Sequence, residues 1–226
     1  MNLIKKSKIK CVYCKTSDAN TDDHAPSKNL FHDTSVVSFI TVPACKICNA
    51  GFSKDEEFFR NFVCNLGLEN STNAQKLFTS KITRSIQRKP RLAESMFQKM
   101  QLVDVYTPGG IYLGKRTKIS VDSNDHSRID NIITKYTKAY FFKHFNIPIP
   151  DNFDLRIVWP QQNRVLDILK KIKCVGRASD VFSYGYGRVP KSFNSTWLFV
   201  FFDKVPFLVF VIDEKFRKKA NKKVIN

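Results

Sequence analysis

The sequence has no apolar stretch long enough to cross a bilayer. Its most hydrophobic segment, Trp197 to Ile212, falls short of the roughly 20 residues a spanning helix needs and is interrupted by Asp203, Lys204 and Pro206. The opening Met1-Asn2-Leu3-Ile4-Lys5-Lys6 has no apolar export region and no cleavage-like site. No internal repeat of solenoid or propeller period is present, and no low-complexity linker. These absences argue against membrane-spanning, secreted and repeat-array classes, and a cytoplasmic protein with no membrane partner is expected. Acidic residues are also scarce, 20 Asp+Glu against 38 Lys+Arg, giving a net charge of +18. That imbalance points to a polyanionic partner, nucleic acid ahead of an anionic membrane surface.

What is present is enough for a core. Of 226 residues 42% are hydrophobic, with 20 Phe, 7 Tyr and 2 Trp, which excludes a disordered chain. The pattern predicts an α+β fold in three regions. The first, about residues 1–66, holds a short β-branched strand over Val36 to Val42 that ends at Pro43. A helix follows, opened by the capping box Ser53-Lys54-Asp55-Glu56, with Phe58, Phe59, Phe62 and Val63 on its buried side. The second, about 67–150, reads as mainly helical and basic. Phe78, Ile82 and Ile86 mark one helix. Leu92, Met96, Met100 and Val103 mark another after Pro90, and Ile129, Ile132, Ile133, Tyr136 and Tyr140 a third. Pro108-Gly109-Gly110 is a turn, and Ile111 to Val121 offers a strand or two. The third, about 151–226, reads as small and α+β with a basic tail. Its strands are Phe153 to Trp159, Trp197 to Phe202 and Phe207 to Ile212, with a helix marked by Val165, Leu166, Leu169 and Ile172. Ser183 to Arg188 reads equally as a base-stacking segment or a glycine-rich loop.

Chemistry concentrates near the N-terminus, in Cys11-x2-Cys14, Asp23-His24 and Cys45-x2-Cys48-Asn49. Two paired-cysteine turns supply four thiolates, the donor set of a closed tetrahedral zinc site, so the zinc is expected to be structural. Two disulfides or two redox dithiols are the competing reading. Cys64 and Cys174 read as buried free thiols, and His32, His126 and His144 as surface or packing residues. Asp23 supplies a hard oxygen, and Asn49 an amide oxygen at a position the zinc site would fix. Together they suit Mg²⁺ or Mn²⁺. His24 is then placed to act as a base.

This order of residues resembles the zinc-containing HNH (ββα-metal) endonucleases, especially the endonuclease VII branch, over about residues 9–63. The Asp-His-x-Pro and Pro-x-Cys-x2-Cys-Asn stretches also resemble uncharacterised bacterial HNH proteins. The resemblance implies structural zinc at Cys11, Cys14, Cys45 and Cys48, and a catalytic divalent ion at Asp23 and Asn49. His24 would be the general base. The family's third signature position carries no histidine here. Glu56, Glu57 and Asn61 are the candidates; Glu56 doubles as capping-box partner, and Glu57 is a further ion-ligand candidate. The implied activity is metal-dependent hydrolysis of nucleic-acid phosphodiester bonds, DNA ahead of RNA, leaving 5′-phosphate ends. An anti-phage defence effector restrained by a regulatory partner encoded nearby is one form of it. The alternative is a non-catalytic, zinc-stabilised nucleic-acid-binding accessory protein.

Charge is uneven along the chain. Residues 1–66 carry a net +2, and residues 67–150 and 151–226 a net +8 each. Substrate affinity is therefore expected from the helix bearing Lys76, Lys81, Arg84, Arg88, Lys89 and Arg91, and next from the tail between Lys215 and Lys223.

Overall fold

Alternation builds the first hairpin. Along Thr21–Ala25 (β1), Asp23 and Ala25 are buried while Asp22 is exposed and His24 half-buried. Antiparallel Ile40–Ala44 (β2) sets Val42 opposite Asp23 and Thr41 opposite His24. The structure is a computed structural model that describes residues 9–35, 37–88, 94, 98–159 and 172–215. β2 starts later than the β-branched run suggests and includes Pro43. A two-stranded sheet has only edges, so a proline that cannot donate is tolerated there. Val36 lies outside the described residues.

After the hairpin come Lys46–Gly51 (α1) and Ser53–Gly67 (α2). Ser53 is the first residue of α2, not its cap. Its hydroxyl donates back to the Ala50 carbonyl at 2.7 Å, and Phe52 joins the two helices. The expected capping box is therefore absent, and Glu56 is released for another task. Phe59 and Val63 are fully buried on α2, as its apolar spacing predicts. Thr72–Leu77 (α3), capped by Ser71, runs through a π-helical turn at Phe78–Ile82 into Thr83–Arg88 (α4).

The middle region is not mainly helical throughout. Met100–Tyr106 (β3) and Tyr112–Ile119 (β4) form an antiparallel hairpin around Pro108-Gly109-Gly110, where Gly110 adopts φ +84. Met100 and Val103 thus belong to a strand; Pro90, Leu92 and Met96 lie outside the described residues. Ser123–Phe145 (α5) follows, opened by a capping box of Asp122 and Asp125 and closed by Asn146 at φ 57. Its buried stripe contains Ile129, Ile132, Ile133, Tyr136 and Tyr140, with Lys135 among them.

The remaining strands are Phe153–Val158 (β5), Cys174–Ala178 (β6), Phe182–Arg188 (β7), Ser195–Phe201 (β8) and Val205–Asp213 (β9). They make one antiparallel sheet in the order β5-β9-β8-β7-β6. Trp197 and Phe199 from β8 and Val209 and Val211 from β9 are fully buried, as their apolar runs imply. Ser183 to Arg188 is a strand rather than a loop. The expected helix at Val165, Leu166 and Leu169, and the tail beyond Lys215, lie outside the described residues. Among those described, no helix is long and apolar enough to cross a membrane.

α5 ties these parts together. Tyr136 and Tyr140 reach the hairpin side through Ser27 and the Ala25 carbonyl, and pack their rings on Phe201 and Phe182 of the sheet. Arg128 meets Asp55 of α2 at 2.9 Å and lies over the Phe58 ring. One continuous hydrophobic core therefore includes Val12, Phe59, Tyr136 and Phe207.

Candidate functional site

The four paired cysteines converge. Cys11 and Cys14 sit on a turn closed by Lys15 N–H donating to the Cys11 carbonyl, with Lys15 at φ 62. Cys45 caps α1, its Sγ accepting from the Cys48 N–H at 3.4 Å. All four Sγ atoms lie within 4.8 Å of one another, and Cys14 and Cys45 are 4.0 Å apart. A tetrahedron with Zn–S bonds of about 2.3 Å has edges of about 3.8 Å, so the cluster can hold a metal such as zinc. None of the six cysteines is disulfide-bonded in the structure, and the four paired ones meet at one centre, which favours shared metal ligation over two separate disulfides. The Thr16 hydroxyl and the N–H groups of Ser17 and Thr16 hold the Cys14 thiol down at about 5, whereas burial and neighbouring sulfurs push Cys48 up. Four sulfurs this close do not all ionise unless a cation joins them. Lys138 is near them and donates to the Tyr13 carbonyl at 3.0 Å. Cys64 is buried as expected; Cys174 is exposed on β6.

Asp23 faces inward from β1 and is 6% exposed. Lys135, 1% exposed, places its ammonium 2.9 Å from Oδ2 and 3.1 Å from Oδ1. Tyr13 donates to Oδ2 at 2.5 Å, and burial and the Asp23 charge push that phenol far up, so it stays a donor. The same ammonium pairs with Glu56, whose carboxylate also accepts from the Ser27 hydroxyl. Asp23 and Glu56 are thus joined through a lysine of α5. Neither Lys135 nor Tyr13 is marked by a motif, and Glu56 looks like a cap in sequence.

His24 points to the opposite side of β1, its ring edge-to-face with Phe39 at 5.9 Å. Burial, reinforced by Lys28, holds its pKa below the ordinary value of 6.5, so the imidazole is neutral at pH 7. Asn49, on α1, donates its amide to Thr21 Oγ1 at 3.2 Å and the Asp22 carbonyl at 3.4 Å. It therefore pins the cysteine-bearing helix to β1, two residues from His24.

Glu57 is placed elsewhere from its sequence role. It accepts from the Ser85 hydroxyl at 2.8 Å and lines a cleft of about 360 Å³ with Arg60, Lys81, Arg84, Ser85 and Arg88. Three of the expected phosphate-contacting residues, Lys81, Arg84 and Arg88, thus share one cavity. Lys76 is exposed on α3 and is not among its lining residues. Lys89 and Arg91 lie outside the described residues. Arg60, absent from the sequence expectation, is 8% exposed.

Compared with known proteins, the chain matches no family model, no curated protein and no solved structure.

Proposed function

We propose that this chain is a nucleic-acid phosphodiesterase of the zinc-stapled HNH kind, with His24 as its base. The observation that carries the reading is the placement of His24. It is a neutral imidazole on the outer side of β1, beside a helix that Asn49 holds on the same strand and whose start bears two of the four clustered thiols. The order of strand, strand and helix around that cluster, and the excess of cations, also support it. His24 takes a proton from water, the oxygen bonds phosphorus, and the bond to the 3′-oxygen breaks, the departing oxygen taking a proton from solvent and His24 later releasing its own. The products are a 3′-hydroxyl and a 5′-phosphate.

A catalytic Mg²⁺ or Mn²⁺ does not fit Asp23 as arranged, because the Lys135 ammonium lies against both of its oxygens. No step is therefore derived through such an ion. The same observation favours a second reading, a non-catalytic module that binds nucleic acid.

The two separate in a cleavage assay on DNA and RNA with Mg²⁺, Mn²⁺ or a chelator, comparing wild type with His24→Ala. Loss of the base is expected to slow cleavage by about 100-fold or more with bound zinc unchanged. Cleavage that survives His24→Ala rejects the assignment of the base. Salt-sensitive binding with no cleavage under any of these conditions selects the second reading.

A further inference from the structure

The cleft between α2 and α4 gathers more positive charge than its own carboxylate balances. Lys81 lies three and four positions before Arg84 and Ser85, and Arg88 three and four positions after Ser85 and Arg84, so they share a face. The π-helical turn at Phe78–Ile82 carries Lys81 and shifts the phase of the helix where that face begins, and such turns recur at functional positions. Across from it, α2 presents Glu57 and Arg60. Among the described residues, four cations therefore line the cleft against one carboxylate, and the Arg60 Nη2 to Glu57 distance is 3.9 Å, long for a strong pair. The cations press on one another: burial, then Arg60 and Arg84, pull the Lys81 ammonium below its ordinary pKa. Assembling like charges at a partly buried position costs free energy that a bound anion would return.

We infer that this cleft is a phosphate-binding site, with the Arg60 guanidinium as its floor and Lys81, Arg84 and Arg88 around it. Arginine forks match the paired oxygens of a phosphate. Arg84 and Arg88 are exposed and reach an incoming strand, while buried Arg60 is already ordered. The cleft is linked to the proposed base through two packed phenylalanines. Lys81 donates to the Phe31 carbonyl, the Phe31 ring packs on Phe39, and Phe39 packs on His24. A phosphate held here belongs to the backbone of the strand that passes His24. The inference rests on the nucleic-acid reading for the source of the phosphate, and it does not require that His24 cleave.

The test is binding of a short DNA duplex to the full chain as a function of salt, with inorganic pyrophosphate as competitor. Arg84→Gln with Arg88→Gln is expected to flatten the slope of log affinity against log salt by about 1.8, two phosphate contacts at about 0.9 each. Pyrophosphate should compete with the duplex on wild type and lose that effect on the double variant. Lys118→Gln with Lys191→Gln removes the same charge at exposed positions outside the cleft and is expected to leave pyrophosphate competition intact. Arg60 Nε and Nη2 both donate to Asn61 Oδ1, at 3.0 and 2.9 Å, so Arg60→Lys keeps the charge but loses the guanidinium that Asn61 holds in place, and should weaken pyrophosphate binding. Equal loss of affinity in the two double variants, or no pyrophosphate competition on wild type, overturns the site. Intact binding without cleavage would overturn only the assignment of His24.

Discussion

Lys135 sits where a helix normally places a large apolar side chain, between Ile132, Ile133 and Tyr136 on the buried face of α5. Its ammonium is tolerated because Asp23 and Glu56 both meet it, and their remaining oxygen capacity is taken up by Tyr13 and Ser27. Breaking a buried ion pair from one side costs about 3–5 kcal/mol, since it strands the opposite charge. Lys135→Met is therefore expected to lower stability by that amount in urea denaturation. Neutralising the partners as well, with Asp23→Asn and Glu56→Gln, should recover much of the loss. Equal stability of Lys135→Met and wild type would show the network to be idle. None of this could be read in advance. The partners lie 112 and 79 positions apart in the chain, and a lysine inside an apolar stripe does not name its carboxylates. The four cysteines were legible because each pair carries its own geometry in a two-residue spacing, and the turns only had to meet.

His144, in the last turn of α5, shows how an element is tied to the sheet beneath it. Its ring packs at tilted angles among Tyr184, Tyr186 and Trp197, and Nε2 lies 3.1 Å from the Tyr184 hydroxyl. Burial, with Lys143 adding to it, lowers its pKa from 6.5. A histidine depressed in the folded state binds its proton more readily when unfolded. Stability from this contact is thus present above about 6.5 and is lost as pH falls through the lowered value. His144→Gln should flatten the decline in melting temperature between neutral and mildly acidic pH; an unchanged profile would place the acid sensitivity elsewhere. The strand under this histidine was hard to recognise because its glycines lower strand propensity. The sheet uses at least one of them for close approach: a Cβ on Gly185 would lie 2.4 Å from the Lys173 carbonyl oxygen. The β3–β4 hairpin was masked differently, since Met100 and Val103 continue a helix-like spacing that only the pairing with β4 overrides.

Across the molecule, α5 makes the cysteine turns and the five-stranded sheet parts of one core, with Lys138 reaching the Tyr13 carbonyl beside the thiols. The apolar stripe of α5 and the runs of β8 and β9 announced this core, although nothing local indicated that one helix would serve both sides. Stripping the metal from a zinc-loaded chain with a chelator is expected to release one ion per chain. Hydrogen exchange should rise mainly across the cysteine turns, residues 10–19 and 45–51, with slower exchange retained in β1, which Lys135 anchors through Asp23, and in β8 and β9 where Trp197 and Val209 are fully buried. Uniform acceleration throughout would mean that the thiol cluster holds the whole core, and no change would mean that it holds none. The Lys135 network gives this arrangement a further consequence. Around Asp23 and Glu56 the protein carries its own counter-ion, so that part of the interior can assemble during synthesis before any metal is delivered. If a metal joins the four sulfurs, its loss would loosen the cysteine turns, while the strand that carries His24 stays anchored through Asp23.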